Sequence, residues 1–313
     1  MSWLDRTTPL LIDPGEIDLH DSTYEFPFFG DSLSLEKSVG TVGVINAPVL
    51  QEHRAGSLIP VLGRRRLAAA RVVGLREISA RVIPAEMPEA DGYSLAFWDN
   101  CARITDPATT AYVVKRLLDL FPREEACSTF LRVLNVPRKG PRLERLRRVG
   151  GLERSILQGL ASGRLLEKTA VTLAYMDEED RQLAFDLSQR LRLNANTSEE
   201  VIGSLHDLAV LQQRSVTQIV ASDQIRSVLD SEGGSVPERA TSLRQVLRSM
   251  RFPEMITRES AFREWCTGLD LPDNQKVRHA PAFETDECTV EIKVRDRERA
   301  SKILAALRIG DRD

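Results

Sequence analysis

Apolar positions change their period several times along this chain of 313 residues. Residues 9–18, Pro-Leu-Leu-Ile-Asp-Pro-Gly-Glu-Ile-Asp, read as a short strand entering a Pro-Gly turn, and residues 33–42 as a short helix closed by Gly43. The alternating run Val44 to Leu50 reads as a strand, and Leu58 to Leu62 as a second one in which Pro60 implies an edge position. After Gly63 the period becomes helical from Arg64 to Val73, with Gly74 as its stop, and a strand from Glu77 to Ile83 follows. Helices are predicted from about Tyr93 to Arg103, and from Asp106 as N-cap with Pro107 at the first helical position to about Phe121. From there to residue 270 the start signals are helical: Asp177 before an amphipathic run, Thr197 with Glu200, Ser215 with Gln218, and Ser235 before Pro237. The tail reverts to alternation at Cys288 to Val294 and ends in an amphipathic helix from Asp296 to Leu307.

These patterns predict an α+β protein. A small α/β domain spans residues 1–104, a helical domain residues 105–195, a further helical region residues 196–270, and a strand-helix element residues 271–313. A hydrophobic content of 42% suffices for packed cores, no run approaches a membrane span, and the first dozen residues lack a secretory pattern, so a cytoplasmic location is expected. Cys101, Cys127, Cys266 and Cys288 are far apart, as are the four histidines, so neither a disulfide framework nor a zinc site is suggested. Net charge is only −3, which gives the whole molecule no field to drive it onto nucleic acid; local clusters must do that. Of the 43 basic residues 36 are arginine, the side chain suited to forked phosphate contacts, although a coding bias yields the same excess.

Two clusters carry candidate chemistry. Residues 61–76 hold Arg64, Arg65, Arg66, Arg71 and Arg76 and no acid, directly after a glycine between strand and helix. Such a glycine lets backbone approach a ligand, and the free N–H groups of the first helical turn point at an anion there. Without one, arginines at a helix N-terminus oppose the macrodipole by about 0.3–1 kcal/mol each. Downstream, Asp99 and Asn100 supply oxygens suited to a hydrated Mg²⁺, though Asp99 and Arg103 also have the i,i+4 spacing of an ordinary surface ion pair. The second cluster lies between Arg132 and Arg148, where seven basic residues face the single acid Glu144. A break at residues 135–141 makes helix, turn, helix, with Arg142, Arg145 and Arg148 in a row on the second helix and Arg138 and Lys139 placed to meet phosphates.

Three blocks in order, Gly43-Val44-Ile45-Asn46-Ala47-Pro48-Val49-Leu50, then Gly63-Arg64-Arg65-Arg66, then Asp99-Asn100-Cys101-Ala102-Arg103, resemble the boxes of the ParB-type chromosome and plasmid partition proteins, which act as CTP-dependent DNA clamps. The likeness covers residues 10–170 best. It implies a ParB/sulfiredoxin-type N-terminal fold in which Gly43, Pro48, Gly63, Arg65, Arg66, Asn100 and Arg103 hold CTP, Asp99 and Asn100 serve Mg²⁺, and a following helix-turn-helix binds DNA. It also implies a homodimer closed by the C-terminal strand and helix, and association with the nucleoid in partition or related gene regulation. Departures mark a divergent member. Arg64 stands where the family has a hydrolytic glutamate, so at most a weak CTPase is expected; the third box has Asp99 for glutamate; and no peptide for a ParA-type ATPase opens the chain. A nuclease or kinase on the same fold, or an adaptor that does not hydrolyse nucleotide, are the alternatives. Sulfiredoxin activity is excluded by Arg64 at its cysteine position.

Overall fold

The computed structural model describes residues 3–27, 29, 32–53, 56–231, 234–285 and 287–309, and the fold is α+β as the patterns predict. The chain divides into two compact units, residues 1–206 and 207–313.

The first unit begins with β1 (Pro9–Ile12), α1 (Leu33–Val42), β2 (Val49–Glu52), β3 (Leu58–Leu62), α2 (Arg64–Val73) and β4 (Ile78–Ile83). The strands lie in the order β1-β4-β2-β3, with β2 and β4 parallel and the outer pairs antiparallel. Pro60 sits in β3 at the end of this order, where its missing N–H costs the ladder least. Leu67, Ala69 and Ala70 of α2 and Val39 of α1 pack with Ile12, Leu50, Ile78 and Ala80 into one core. The strand expected over 44–50 is shorter and later. Residues 44–48 form a loop, because Pro48 has no N–H to give a ladder, and pairing starts at Val49, where a bulge shifts the register to β3.

Helical packing follows through α3 (Glu89–Asn100), extended by a 3₁₀ turn at Cys101–Arg103, and α4 (Pro107–Leu120). The helix expected from Tyr93 starts four residues earlier. Gly92, a residue type that usually breaks helices, lies inside it because a Cβ there would meet the Tyr24 ring at 2.5 Å. Asp106 caps α4 by accepting the Thr109 N–H at 2.8 Å, as its sequence signals. A single turn, α5 (Arg123–Glu125), runs into a π-helical stretch at Ala126–Leu131, then a turn leads to α6 (Pro141–Val149). α7 (Arg154–Ala161), α8 (Glu167–Leu173) and α9 (Glu178–Arg190) complete the bundle, with Leu143, Leu146 and Val149 of α6 buried among them. α10 (Ala195–Gln212) is capped by Asn194 rather than by Thr197, since Asn194 Oδ1 accepts the Thr197 N–H at 2.9 Å.

The second unit holds α11 (Val216–Val220), α12 (Asp223–Leu229), α13 (Val236–Arg251) and α14 (Pro253–Gly268). The capping box expected of Ser215 with Gln218 forms, and Ser235, expected as a helix start before Pro237, caps α13 in a further box with Glu238. β5 (Gln275–His279) pairs antiparallel with β6 (Cys288–Ile292), so the tail strand finds its neighbour in the upstream segment of its own chain. α15 (Arg297–Ile309) follows β6.

Candidate functional site

Gly63 ends β3 in the left-handed region, φ +85° and ψ +22°, and is the residue on which α2 begins. No acid lies in the first turn of α2, so nothing from the helix itself answers its positive end. Arg66 folds back over the turn: its guanidinium lies 3.0 Å from where a Cβ on Gly63 would stand, and its Nη1 donates to the Asn46 carbonyl oxygen. Thus one arginine ties the 44–48 loop to the turn. Gly43, at φ +74°, aims the chain into that loop, and Pro48 precedes β2 with its carbonyl accepting from Arg81 N–H at 2.9 Å.

Asn100 and Arg103 come to this place from the end of α3. Burial, with Arg103 beside it, holds the Arg65 guanidinium below its ordinary value. Burial lowers Arg66 as well, with Asp99 opposing and Arg103 adding. Arg103 is therefore within electrostatic reach of both Arg65 and Arg66, and Asp99 of Arg66, though 33 residues separate Arg66 from Asp99 in the chain. Arg103 Nη2 donates to Asp99 Oδ2 at 3.2 Å, to the Asp99 carbonyl at 2.9 Å and to Asn100 Oδ1 at 2.8 Å, while Asn100 Nδ2 donates to the Ala96 carbonyl at 2.7 Å. The i,i+4 ion pair legible in the sequence is thus formed. Among the described residues no group of three or more His, Cys, Asp or Glu could hold a metal ion, so Asp99 and Asn100 offer a metal only a partial ligand set.

Arg64 is used differently. Its guanidinium turns away and donates to the Leu19 carbonyl at 2.6 Å and to that of Asp21; burial lowers its pKa, with Glu25 and Asp21 opposing. Arg71, on the same helix, donates to the carbonyls of Pro14 and Ile17. Two of the five arginines in this cluster are therefore clasps for the segment before α1, a role that charge counting does not reveal.

The basic face lies on α6. Arg138, Lys139, Arg142, Arg145, Arg147 and Arg148 are all exposed, while Leu143, Leu146 and Val149 turn inward against the bundle. Glu144 lies 3.8 Å from Arg147 and 3.6 Å from Arg148. The guanidinium of Arg148 sits 4.7 Å over the ring of Tyr175, itself 56% exposed at the end of α8. Sequence reasoning missed Tyr175, because α6 and α8 meet only through the fold. It missed Arg154 too, which opens α7 and pairs with the largely buried Glu25, one of the acids near Arg64.

No family model matches the chain, and no curated protein matches it. Among solved structures it is similar to the C-terminally truncated chromosome-partitioning protein ParB from Caulobacter crescentus complexed with CTP-gamma-S, at 18% identity over 55% of this chain and 94% of that one, with a TM-score of 0.27. It is also similar to the truncated Caulobacter crescentus ParB complexed to the centromeric parS site, at 14% identity over 67% of this chain and 95% of that one, TM-score 0.32. A Pnob8-like ParB-N domain gives 12% identity over 77% of this chain and 98% of that one, TM-score 0.37.

Proposed function

We propose that this chain is a ParB-like DNA-binding protein that holds a nucleotide at the Gly63 turn and duplex DNA along α6, acting in chromosome or plasmid partition or in related gene regulation. The observation that carries it is the meeting of Arg65, Arg66 and Arg103 at the start of a helix with no acid in its first turn. Burial, then repulsion by Arg103, lowers the first two, a penalty that a bound polyphosphate relieves. The arrangement fits a triphosphate: the first-turn N–H groups after Gly63 have no carbonyl partner within the helix, and three guanidinium groups answer the charge. CTP is the nucleotide implied by the three sequence boxes, with Gly43 and Pro48 beside it. Asp99 and Asn100 would hold Mg²⁺ together with phosphate oxygens, which supply most of its ligands in such sites.

Turnover is not expected. The position of the family's hydrolytic glutamate belongs to Arg64, a group that accepts no proton at neutral pH and is already bonded to two carbonyls. Association with the nucleoid goes with the DNA binding proposed here; no helix among the described residues is long and apolar enough to cross a membrane. Homodimers of the kind the family forms would use the outer edge of β6, since β5 occupies the other.

Equilibrium binding of labelled CTP to the full chain tests this directly. Binding is expected in the wild type, with a loss of at least tenfold in Arg66→Ala at unchanged circular dichroism, and no inorganic phosphate above background in either. A chain that takes up no CTP with Mg²⁺ present removes the nucleotide-binding part.

A further inference from the structure

We propose that Tyr175, just past the end of α8, is a positioning residue of the DNA interface that holds the Arg148 guanidinium for a backbone phosphate; this rests on the DNA-binding role proposed above. Tyr175 is 56% exposed, while Leu173 and Met176 on either side of it are buried and anchor the end of α8. Core packing therefore does not account for the ring, which stands on a fixed base at the surface. Among the described residues Arg148 is the one arginine of α6 that lies over an aromatic ring, with its guanidinium 4.7 Å from the centre of Tyr175. Glu144 Oε1 stands 3.6 Å from Arg148 Nε, too far for a hydrogen bond, and leaves Nη1 and Nη2, the pair that forks onto a phosphate, to other partners. A long arginine side chain loses rotamer freedom when a ligand fixes it, and a ring that already restrains the group removes part of that cost. Position along the helix decides what Arg148 meets. A helix in the major groove brings its N-terminal residues to base edges, and its C-terminal end passes over the backbone. Arg142 belongs to the first end of α6 and is placed for bases, whereas Arg148 is one residue short of the last, Val149. Tyr175 and Arg148 together thus extend the interface from α6 to the end of α8 and set the helix in place on the duplex, the task of phosphate contacts.

The experiment measures the full chain on two duplexes of about 30 base pairs and unrelated sequence, at about 20–50 mM salt, where phosphate contacts dominate. Arg148→Ala is expected to weaken both by about fivefold and to lower the slope of log K against log salt by about 0.9, the share of one phosphate. Tyr175→Ala should weaken both by about threefold, and Tyr175→Phe, which keeps the ring face, should bind as the wild type does. Added to Arg148→Ala, Tyr175→Ala should cost nothing further, the non-additivity of a residue that acts through its neighbour. That comparison separates positioning from a general loosening of the bundle, which would weaken the Arg148→Ala chain by the same factor as the wild type. Wild-type affinity in Tyr175→Ala overturns the proposal. So do a Phe variant as weak as the Ala one, a full second loss in the double variant, and a loss confined to one duplex, which would make Arg148 a base reader. In each of these outcomes the DNA-binding role itself stands. If the wild type binds neither duplex at about 20 mM salt while CTP still binds, that role falls and takes the proposal with it.

Discussion

Gly63 combines a left-handed backbone with a guanidinium folded over its α-carbon, so a side chain there meets two penalties at once. The conformation costs a non-glycine residue about 1–2 kcal/mol, and the new methyl must also displace Arg66. Gly63→Ala is therefore expected to lower stability by about that amount in urea unfolding and to abolish CTP binding; a variant of wild-type stability would mean that the turn relaxes freely. A second residue gives a pH prediction. Tyr24 is buried and donates to Gln51 Oε1 at 2.6 Å; burial first, then the charges of Glu89 and Asp21, push its pKa up to about 12 from 10. Because the folded state holds this proton more tightly, its contribution is complete below pH 10 and is lost as pH rises from 10 to 12, a change of up to about 2.7 kcal/mol. Spectrophotometric titration at alkaline pH should show this phenol ionising together with unfolding, and an ordinary tyrosine titration near 10 with the fold intact would contradict it. Composition does not separate Arg64, Arg65 and Arg66; the family boxes set Arg64 apart from the other two, and what no box discloses is that Arg64 clasps the carbonyls of Leu19 and Asp21 and that Arg66 holds that of Asn46, all from distant parts of the chain.

Elements with local signals are legible in the sequence alone. α2 lies between two left-handed glycines, α4 begins on Asp106 and Pro107, the Ser215–Gln218 box closes, and α13 begins after Ser235. Elements decided by distant partners are not. The start of α3 is hidden by Gly92, whose lack of a side chain serves Tyr24 rather than a turn, and the π-helical stretch at Ala126–Leu131 has no propensity signature. Gly150, at the end of α6, is also opaque: a Cβ there would stand 2.1 Å from the Ala111 carbonyl oxygen of α4, so α6 is seated backbone against backbone. Gly150→Ala should therefore cost more than an ordinary helix-end substitution, about 1–3 kcal/mol of overpacking, and should weaken DNA binding because the arginine row moves with its helix. Thermal unfolding together with duplex affinity would check both parts. Unchanged melting would show that α6 can tilt away without loss.

For the whole molecule, the striped distribution of charge matters more than its total. Residues 132–148 carry +6, so the rest of the chain carries −9. A pI near 6.0 describes only the average, that of a mildly acidic protein. The turn at Gly63 and the arginines of α6 both belong to the first unit, residues 1–206, and the second unit contributes neither. A strongly positive segment thus sits in a chain whose total charge is negative, and local fields of this kind steer a polyanion more than the net charge does.

The same exposed row on α6 has a practical consequence at the bench. A matrix bearing fixed sulfonate groups presents much the same array of anions as a DNA backbone, and it samples one face of a molecule rather than its average. At pH 7.5 and low salt the protein should be retained on such a column despite its negative net charge, elute early when Arg142 and Arg145 are both alanine, and leave a nuclease-free lysate carrying nucleic acid visible as excess absorbance at 260 nm. A flow-through of the wild type under those conditions would mean that the arginines of α6 are screened by their surroundings.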